Sequence, residues 1–147
     1  MIHVAFSTKV SVATHVLALI YLEGAQGITS TQIAGSIQTN PAVVRKILSQ
    51  LKKADLIDSS PGPVPTTLKR EPEAITLYDV YRAVEVPRDI FMIHQETSPN
   101  CLVGRHIQGS LTEYVDQIEE RLNEELRCIT LADVIRNILN LEAEKRQ

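Results

Sequence analysis

TSTQIAGSIQTNPAVVRKILSQLKKADLI, residues 29–57, is the stretch on which the fold turns. It opens with a complete helix-start signal. Thr29 can cap, Gln32 three residues on can close a capping box, and Ile28 before the cap can staple onto Ile33. A short helix is therefore predicted over Ser30–Ile37. The QTN stretch that follows is a turn. Asn40 is a good N-cap, and Pro41 suits the first helical position, where no amide hydrogen bond is lost. The second helix should run to about Ala54. Val44, Ile47, Leu48 and Leu51 form its apolar side. Ala42, Arg45, Lys46, Ser49, Lys52 and Lys53 form its outward side.

Downstream, LIDSS reads as a short strand and TTLK as its return. Between them, PGPVP (61–65) cannot be helix or central strand, because three prolines remove donors and fix backbone angles. Upstream, apolar residues at 10, 13, 16, 17, 20 and 21 recur at helical spacings until Gly24 and Gly27. Lys9 and two histidines interrupt this N-terminal apolar stretch, which reads as a core helix rather than a secretion signal. Helix, short helix, turn, basic helix and a Pro/Gly-tipped hairpin is the order of a winged helix-turn-helix.

Two later segments share one pattern, ITLYDVYRAV (75–84) and ITLADVIRNI (129–138). In each, a Thr caps (Thr76, Thr130), an Asp closes the box (Asp79, Asp133), and the Ile before the cap can staple to a Val (Val80, Val134). Two copies with unlike flanks are one helix-start grammar used twice rather than a repeat array. Residues 86–109 are the least regular, with an extended apolar piece through Phe91 and Ile93, a loop at TSPN and a short helix expected. A long helix is predicted from Ser110, with Leu111, Val115, Ile118, Leu122 and Leu126 at three- and four-residue steps among acidic residues. A narrow apolar stripe on a charged helix suits packing against another helix, with a second copy of the chain as the candidate partner. The fold class is mostly α with a small β-hairpin wing. The expected division is 1–85 for the winged domain and 86–147 for a linker or sensor segment and the dimerisation helices.

The bulk numbers agree with this. Of 147 residues, 44% are hydrophobic and 22% charged, an ordinary globular mix. Trp is absent, so the core must rest on aliphatic side chains. No run of 18 apolar residues exists, so no membrane span is expected. The net charge of −3 hides an asymmetry: residues 1–70 carry seven Lys/Arg against three Asp/Glu, and residues 71–147 carry eight against fifteen. A basic half joined to an acidic half suggests a module that faces a polyanion. Cys101 and Cys128 have no CxxC partner, which fits a reducing cytoplasm rather than a disulfide framework.

The basic helix has two readings. Exposed Lys and Arg often mean only a solvated face. Against that, the element order and local charge point to double-stranded DNA. Thr39 and Asn40 at the turn, with Ala42, Arg45, Lys46 and Ser49, would then meet the major groove, where Arg can read guanine through O6 and N7. Lys52, Lys53 and Lys69 would meet phosphates. A winged-helix module for protein–protein assembly, without DNA readout, is the alternative. Cys101 is either a redox sensor, its pKa lowered by Arg105 and His106, or an apolar filler; Cys128 reads as structural. His94 and His106 with one Cys make too irregular a set for a metal. A small-molecule sensor with its pocket in 86–109 is compatible with DNA binding. No Gly-rich phosphate loop, HExxH or GxSxG is present, so no enzyme is expected.

STKVSVATHVLALIYL, the 29–57 stretch, the PGP of the wing, ITLYDVYRAVE, PNCLVGRHIQ and TLADVI, in this order and spacing, resemble the Rrf-two family of bacterial transcription regulators, in particular its YwnA-like branch. The resemblance covers nearly the whole chain. It implies a homodimer crossed through a long C-terminal helix, with two winged domains on a palindromic operator; the expected role is that of a repressor in the cytoplasm. Recognition contacts carry over to Ala42, Arg45, Lys46 and Ser49. Many relatives have an acidic residue at the place of Arg45, and an Arg where this wing has Pro61. Cluster-binding members use three cysteines before the long helix. Here only Cys101 lies there, so no iron–sulfur cofactor is expected.

Overall fold

The computed structural model describes residues 7–60, 64–86 and 91–147. Helix α1 (Lys9–Glu23) runs into a 3-10 turn at Gly24–Gln26. Gly27, at φ 84°, then turns the chain through a region closed to most side chains. Helices α2 (Ser30–Ile37) and α3 (Pro41–Lys53) follow, and then the two-stranded hairpin β1 (Ile57–Asp58) and β2 (Thr67–Leu68). The strands are antiparallel, with Ile57 opposite Leu68 and Asp58 opposite Thr67. A 3-10 turn at Pro72–Ala74 leads to α4 (Leu77–Val84). The long α5 (Leu102–Cys128) and α6 (Leu131–Lys145) complete the chain.

The three predicted capping boxes are made as the sequence implies. Thr29 and Gln32 form a reciprocal capping box on α2, as do Thr76 with Asp79 on α4 and Thr130 with Asp133 on α6. The core lies where α1, α3 and α4 meet. Leu17, Val44, Leu51, Leu56, Ile57, Ile75 and Val80 are buried there, with Leu131 of α6 and Ile33 of α2 beside them. Fully burying one such side chain contributes about 1.5–3 kcal/mol, and these residues hold α3 in a fixed rotation. Tyr21, placed on the apolar side of α1 by spacing, is exposed instead, and Ala18 takes the buried position.

The two similar segments touch. The backbone N–H of Leu77 donates to the Ile129 carbonyl at 2.9 Å, and that of Leu131 donates to the Ile75 carbonyl at 2.7 Å, so Thr76 and Thr130 form an antiparallel bridge. Arg127, near the end of α5, lies over the Tyr78 ring, 4.1 Å from its centre. The end of α5 and the start of α6 are thereby fixed to the start of α4.

One expectation needs correction. The loop at TSPN leads directly into α5 at Leu102, so the expected short helix and the helix from Ser110 are one helix. Gly104 and Gly109 lower intrinsic helix propensity there by roughly 1 kcal/mol each relative to Ala. Gly104 has a specific reason to be glycine. A Cβ at that position would collide with the Ser98 backbone carbonyl, and the Thr97 hydroxyl donates to the Gly104 carbonyl at 2.6 Å. Local packing of the loop on the helix thus offsets the propensity cost.

Thr130→Ala removes the Oγ1 that accepts the Asp133 N–H and should lower unfolding free energy by about 1 kcal/mol. Equilibrium urea denaturation checks this, and a variant as stable as the parent would show that the cap is dispensable.

Candidate nucleic-acid interface

The α2–α3 turn sets the direction of α3. Gln38 closes α2 in the left-handed region, at φ 58° and ψ 52°, and the Thr39 N–H donates to the Ala34 carbonyl at 3.0 Å. Asn40 then caps α3, its Oδ1 accepting the Ala42 N–H at 2.8 Å. Val44, Ile47 and Leu51 are buried and Leu48 packs partly on the same core. The opposite side consists of Ala42, Arg45, Lys46, Ser49, Lys52 and Lys53, all exposed; Asn40 is exposed and Thr39 half-buried. With about 3.6 residues per turn, Ala42, Lys46, Ser49 and Lys53 lie farthest from the core. Arg45 and Lys52 flank them on one side and Val43 and Gln50 on the other.

The cations differ in what they already hold. Lys52 donates its Nζ to the Ser59 carbonyl at 2.5 Å, and Lys69 pairs with Asp55 at 2.8 Å. Both contacts tie the C-terminal end of α3 to the wing. The hydrogen bond from Lys69, and then its charge, hold the Asp55 carboxyl below its ordinary range, and Asp55 raises Lys69 in the same way. Among the described residues, the side chains of Arg45, Lys46 and Lys53 have neither an ion pair nor a hydrogen bond. They are free to meet an anion or a base edge. Pro61 and the rest of the wing tip's PGP lie outside the described residues.

Val43 belongs to neither side in a reading by spacing. It is apolar and 44% exposed in the first turn of α3. The signal for it was present in the sequence, because the core positions 44, 47, 48 and 51 leave 43 off the apolar face.

On α5 the proposed stripe is uneven. Val115 is 8% exposed and adjoins Phe91, Met92 and Ile93, around a cavity of about 280 Å³. Leu111 and Ile118 are exposed, whereas Leu122 and Leu126 are half-buried. On α6, Ile138, Leu139 and Leu141 are exposed as well. Both cysteines are exposed, which corrects the reading of Cys128 as a structural residue: it ends α5, where its side chain meets solvent.

Comparison with known proteins agrees with this geometry. A model of the Rrf2 family, described as an iron-dependent transcriptional regulator, matches residues 6–137. YwnA of Bacillus subtilis, named provisionally as a helix-turn-helix-type transcriptional regulator, is 37% identical over 132 residues, covering 90% of this chain and 98% of YwnA. A crystal structure of a protein provisionally described as DNA-binding superposes with a TM-score of 0.70 at 38% identity, over 86% of this chain and 98% of that one. A Lactobacillus plantarum protein, provisionally a transcriptional regulator, superposes with a TM-score of 0.78 at 20% identity, over 96% and 99% of the two chains; at that identity the likeness shows the fold.

The two cysteines of this chain do not fit a single iron–sulfur cluster. Cys101 stands at the position just before α5 and Cys128 is its last residue. At 1.5 Å per residue they stand about 40 Å apart, far beyond the span of one cluster. Among the described residues no group of three His, Cys, Asp or Glu side chains is placed to hold a metal ion.

Cys101 has a distinctive setting of its own. Its side chain makes no capping hydrogen bond. The backbone N–H groups of Gly104 and then Val103 nevertheless lie close enough to hold the thiol below its ordinary range. A lowered pKa raises the thiolate fraction near neutral pH. Cys101 should therefore react with iodoacetamide at pH 7 faster in the folded protein than in the guanidinium-unfolded chain, measured by mass spectrometry in a Cys128→Ser background. An equal or slower rate in the folded state would count against a helix-stabilised thiolate.

Proposed function

The chain belongs to the Rrf2 family of transcriptional regulators, and from that premise we propose that it binds a palindromic operator as a homodimer and represses by occupying it. The observation that carries this reading is the pair of cations Arg45 and Lys46, unpartnered among the described residues, on a helix whose rotation is fixed by Val44, Ile47 and Leu51. Helix α3 is the recognition helix. Thr39 and Asn40 at its start, with Ala42, Arg45, Lys46 and Ser49, face the major groove. Lys52, Lys53 and Lys69 approach phosphates, Lys52 and Lys69 by exchanging their present oxygen partners. The acidic charge of the second half is compatible with this, because the Debye length at physiological salt is about 8 Å.

Dimerisation uses Leu111, Ile118, Leu122 and Leu126, with Val115 anchoring the same helix to its own chain. A two-fold contact needs one self-complementary surface, and an apolar stripe on a long helix supplies one. Repression by occupancy requires nothing beyond operator binding, which makes it the simplest mode. The division into a winged domain over 1–85 and a sensor and dimer segment over 86–147 belongs to the same reading. So does a cytoplasmic setting, and a protein that carries neither an iron–sulfur cofactor nor an enzymatic activity. The effector, redox or small-molecule, acts near Cys101 and the cavity beside Val115.

Selection of bound duplexes from a random pool by the purified protein tests the reading as a whole. A palindrome with half-sites one helical turn apart is expected; recovery of no sequence would favour an assembly module. Arg45→Ala should lose roughly 1–3 kcal/mol of discrimination at one operator position. Lys53→Ala should weaken selected and scrambled duplexes alike and lower the salt slope by about one. Titrations over a salt series separate these outcomes. Ile118 is 47% exposed in the single chain, so Ile118→Glu should leave the fold intact and give a monomer by light scattering at micromolar protein. A folded, dimeric Glu variant would remove α5 from the interface.

A further inference from the structure

We propose that Val43 reads a thymine through its 5-methyl group, making it a specificity residue of α3 alongside the cations. This rests on α3 being the recognition helix. Apolar side chains of this protein that pack well go to near-zero exposure, as Val16, Val44, Val80 and Val84 do, yet Val43 is 44% exposed next to Val44. It stands in the first turn of α3, the end that a helix-turn-helix presents to base edges. Its neighbours along the same edge are Thr39, four residues before it, and the small Ala42 beside it, both adding methyl groups. Lys46 follows three residues on and is exposed. The N-terminal end of α3 therefore offers a small apolar surface bordered by a cation. In the major groove the one apolar feature of a base edge is the thymine methyl, and side-chain methyl groups are its ordinary partners. Position is fixed from two sides, because Asn40 caps the turn through the Ala42 N–H and the Val43 N–H donates to the Asn40 carbonyl at 3.0 Å. A β-branched side chain in a helix has one strongly preferred rotamer, so the two methyls of Val43 are presented with little freedom to lose.

The probe is the duplex that the parent protein selects from a random pool, resynthesised with deoxyuridine replacing thymine at one position of one half-site at a time. For the parent, one thymine near the Arg45-dependent position should show a loss of about fourfold in affinity on conversion to uracil, the worth of one buried methyl. Val43→Ala should bind the thymine and uracil duplexes equally at that position, and keep the full Arg45-dependent preference elsewhere. Val43 is exposed and Ala favours helix, so the variant should fold, which circular dichroism verifies. If no uracil substitution matters to the parent, or if the penalty persists in Val43→Ala, Val43 does not read a methyl. Arg45→Ala, titrated in parallel, separates that outcome from a wrong recognition helix: in the latter case neither variant changes the ratio of selected to scrambled affinity.

Discussion

The joint between Ile75–Leu77 and Ile129–Leu131 is the constraint on which the arrangement of the two halves depends. Two helices begin within it, and the first N–H groups of a helix lack intrahelical partners. Here the Thr and Asp side chains satisfy them reciprocally, with Asp79 accepting the Thr76 N–H and Asp133 accepting the Thr130 N–H, both at 2.9 Å. That leaves the Leu77 and Leu131 N–H groups free to pair across the joint with the Ile129 and Ile75 carbonyls. Ile75 and Leu131 are buried, so an unpaired N–H or C=O at this place would be costly. The near-identity of the two segments has a physical reason. Each must cap its own helix and offer one donor and one acceptor to the other, and the same short pattern does both.

This joint also explains how a long helix with little buried surface of its own is held to the winged half. Apart from Val115, no residue of α5 is fully buried. Its start is held by Gly104 against Ser98, and its end by the joint and by Arg127 over Tyr78. Arg127 also pairs with Glu120, and that hydrogen bond is the main cause of its raised pKa. Two fixed ends leave the middle of α5 presenting Leu111 and Ile118 to solvent. An isolated copy of this chain exposes apolar surface there that a symmetric partner of the proposed kind would cover.

Helix starts were the most legible part of the sequence, because a capping box is a local code: its donors and acceptors lie within four residues. The α2–α3 unit and the hairpin were legible for the same reason. The continuity of α5 was not. The pattern suggests a short helix after TSPN and a separate one from Ser110, whereas one helix runs through both Gly104 and Gly109; the approach of the Ser98 carbonyl to Gly104 is a contact that spacing does not reveal. Exposure of Cys128 and the placing of Val115 and the 91–93 segment around one cavity are likewise matters of packing between distant residues. In the candidate interface, the outward side of α3 followed from periodicity alone. Which cations were already engaged did not, because Lys52 reaches Ser59 and Lys69 reaches Asp55 only once the wing folds back.

That engagement changes what the cations of the winged half can do. Lys52 and Lys69 brace the wing against the end of α3, and both contacts are solvent-exposed. Exposed pairs of this kind are weak and screened by salt. A phosphate oxygen can therefore take the place of the Ser59 carbonyl or the Asp55 carboxylate at little cost, so that in the proposed reading the same side chains serve as braces in the free protein and as phosphate contacts on DNA. Arg45 and Lys46 have no such partner among the described residues. Their side chains lie on a helix whose rotation the core fixes through Val44, Ile47 and Leu51. Sequence discrimination demands a fixed geometry and attraction to phosphate does not. In the proposed reading, the division of labour among the cations follows from these contacts: base reading falls to the first two turns of α3, and general affinity to its far end and the wing.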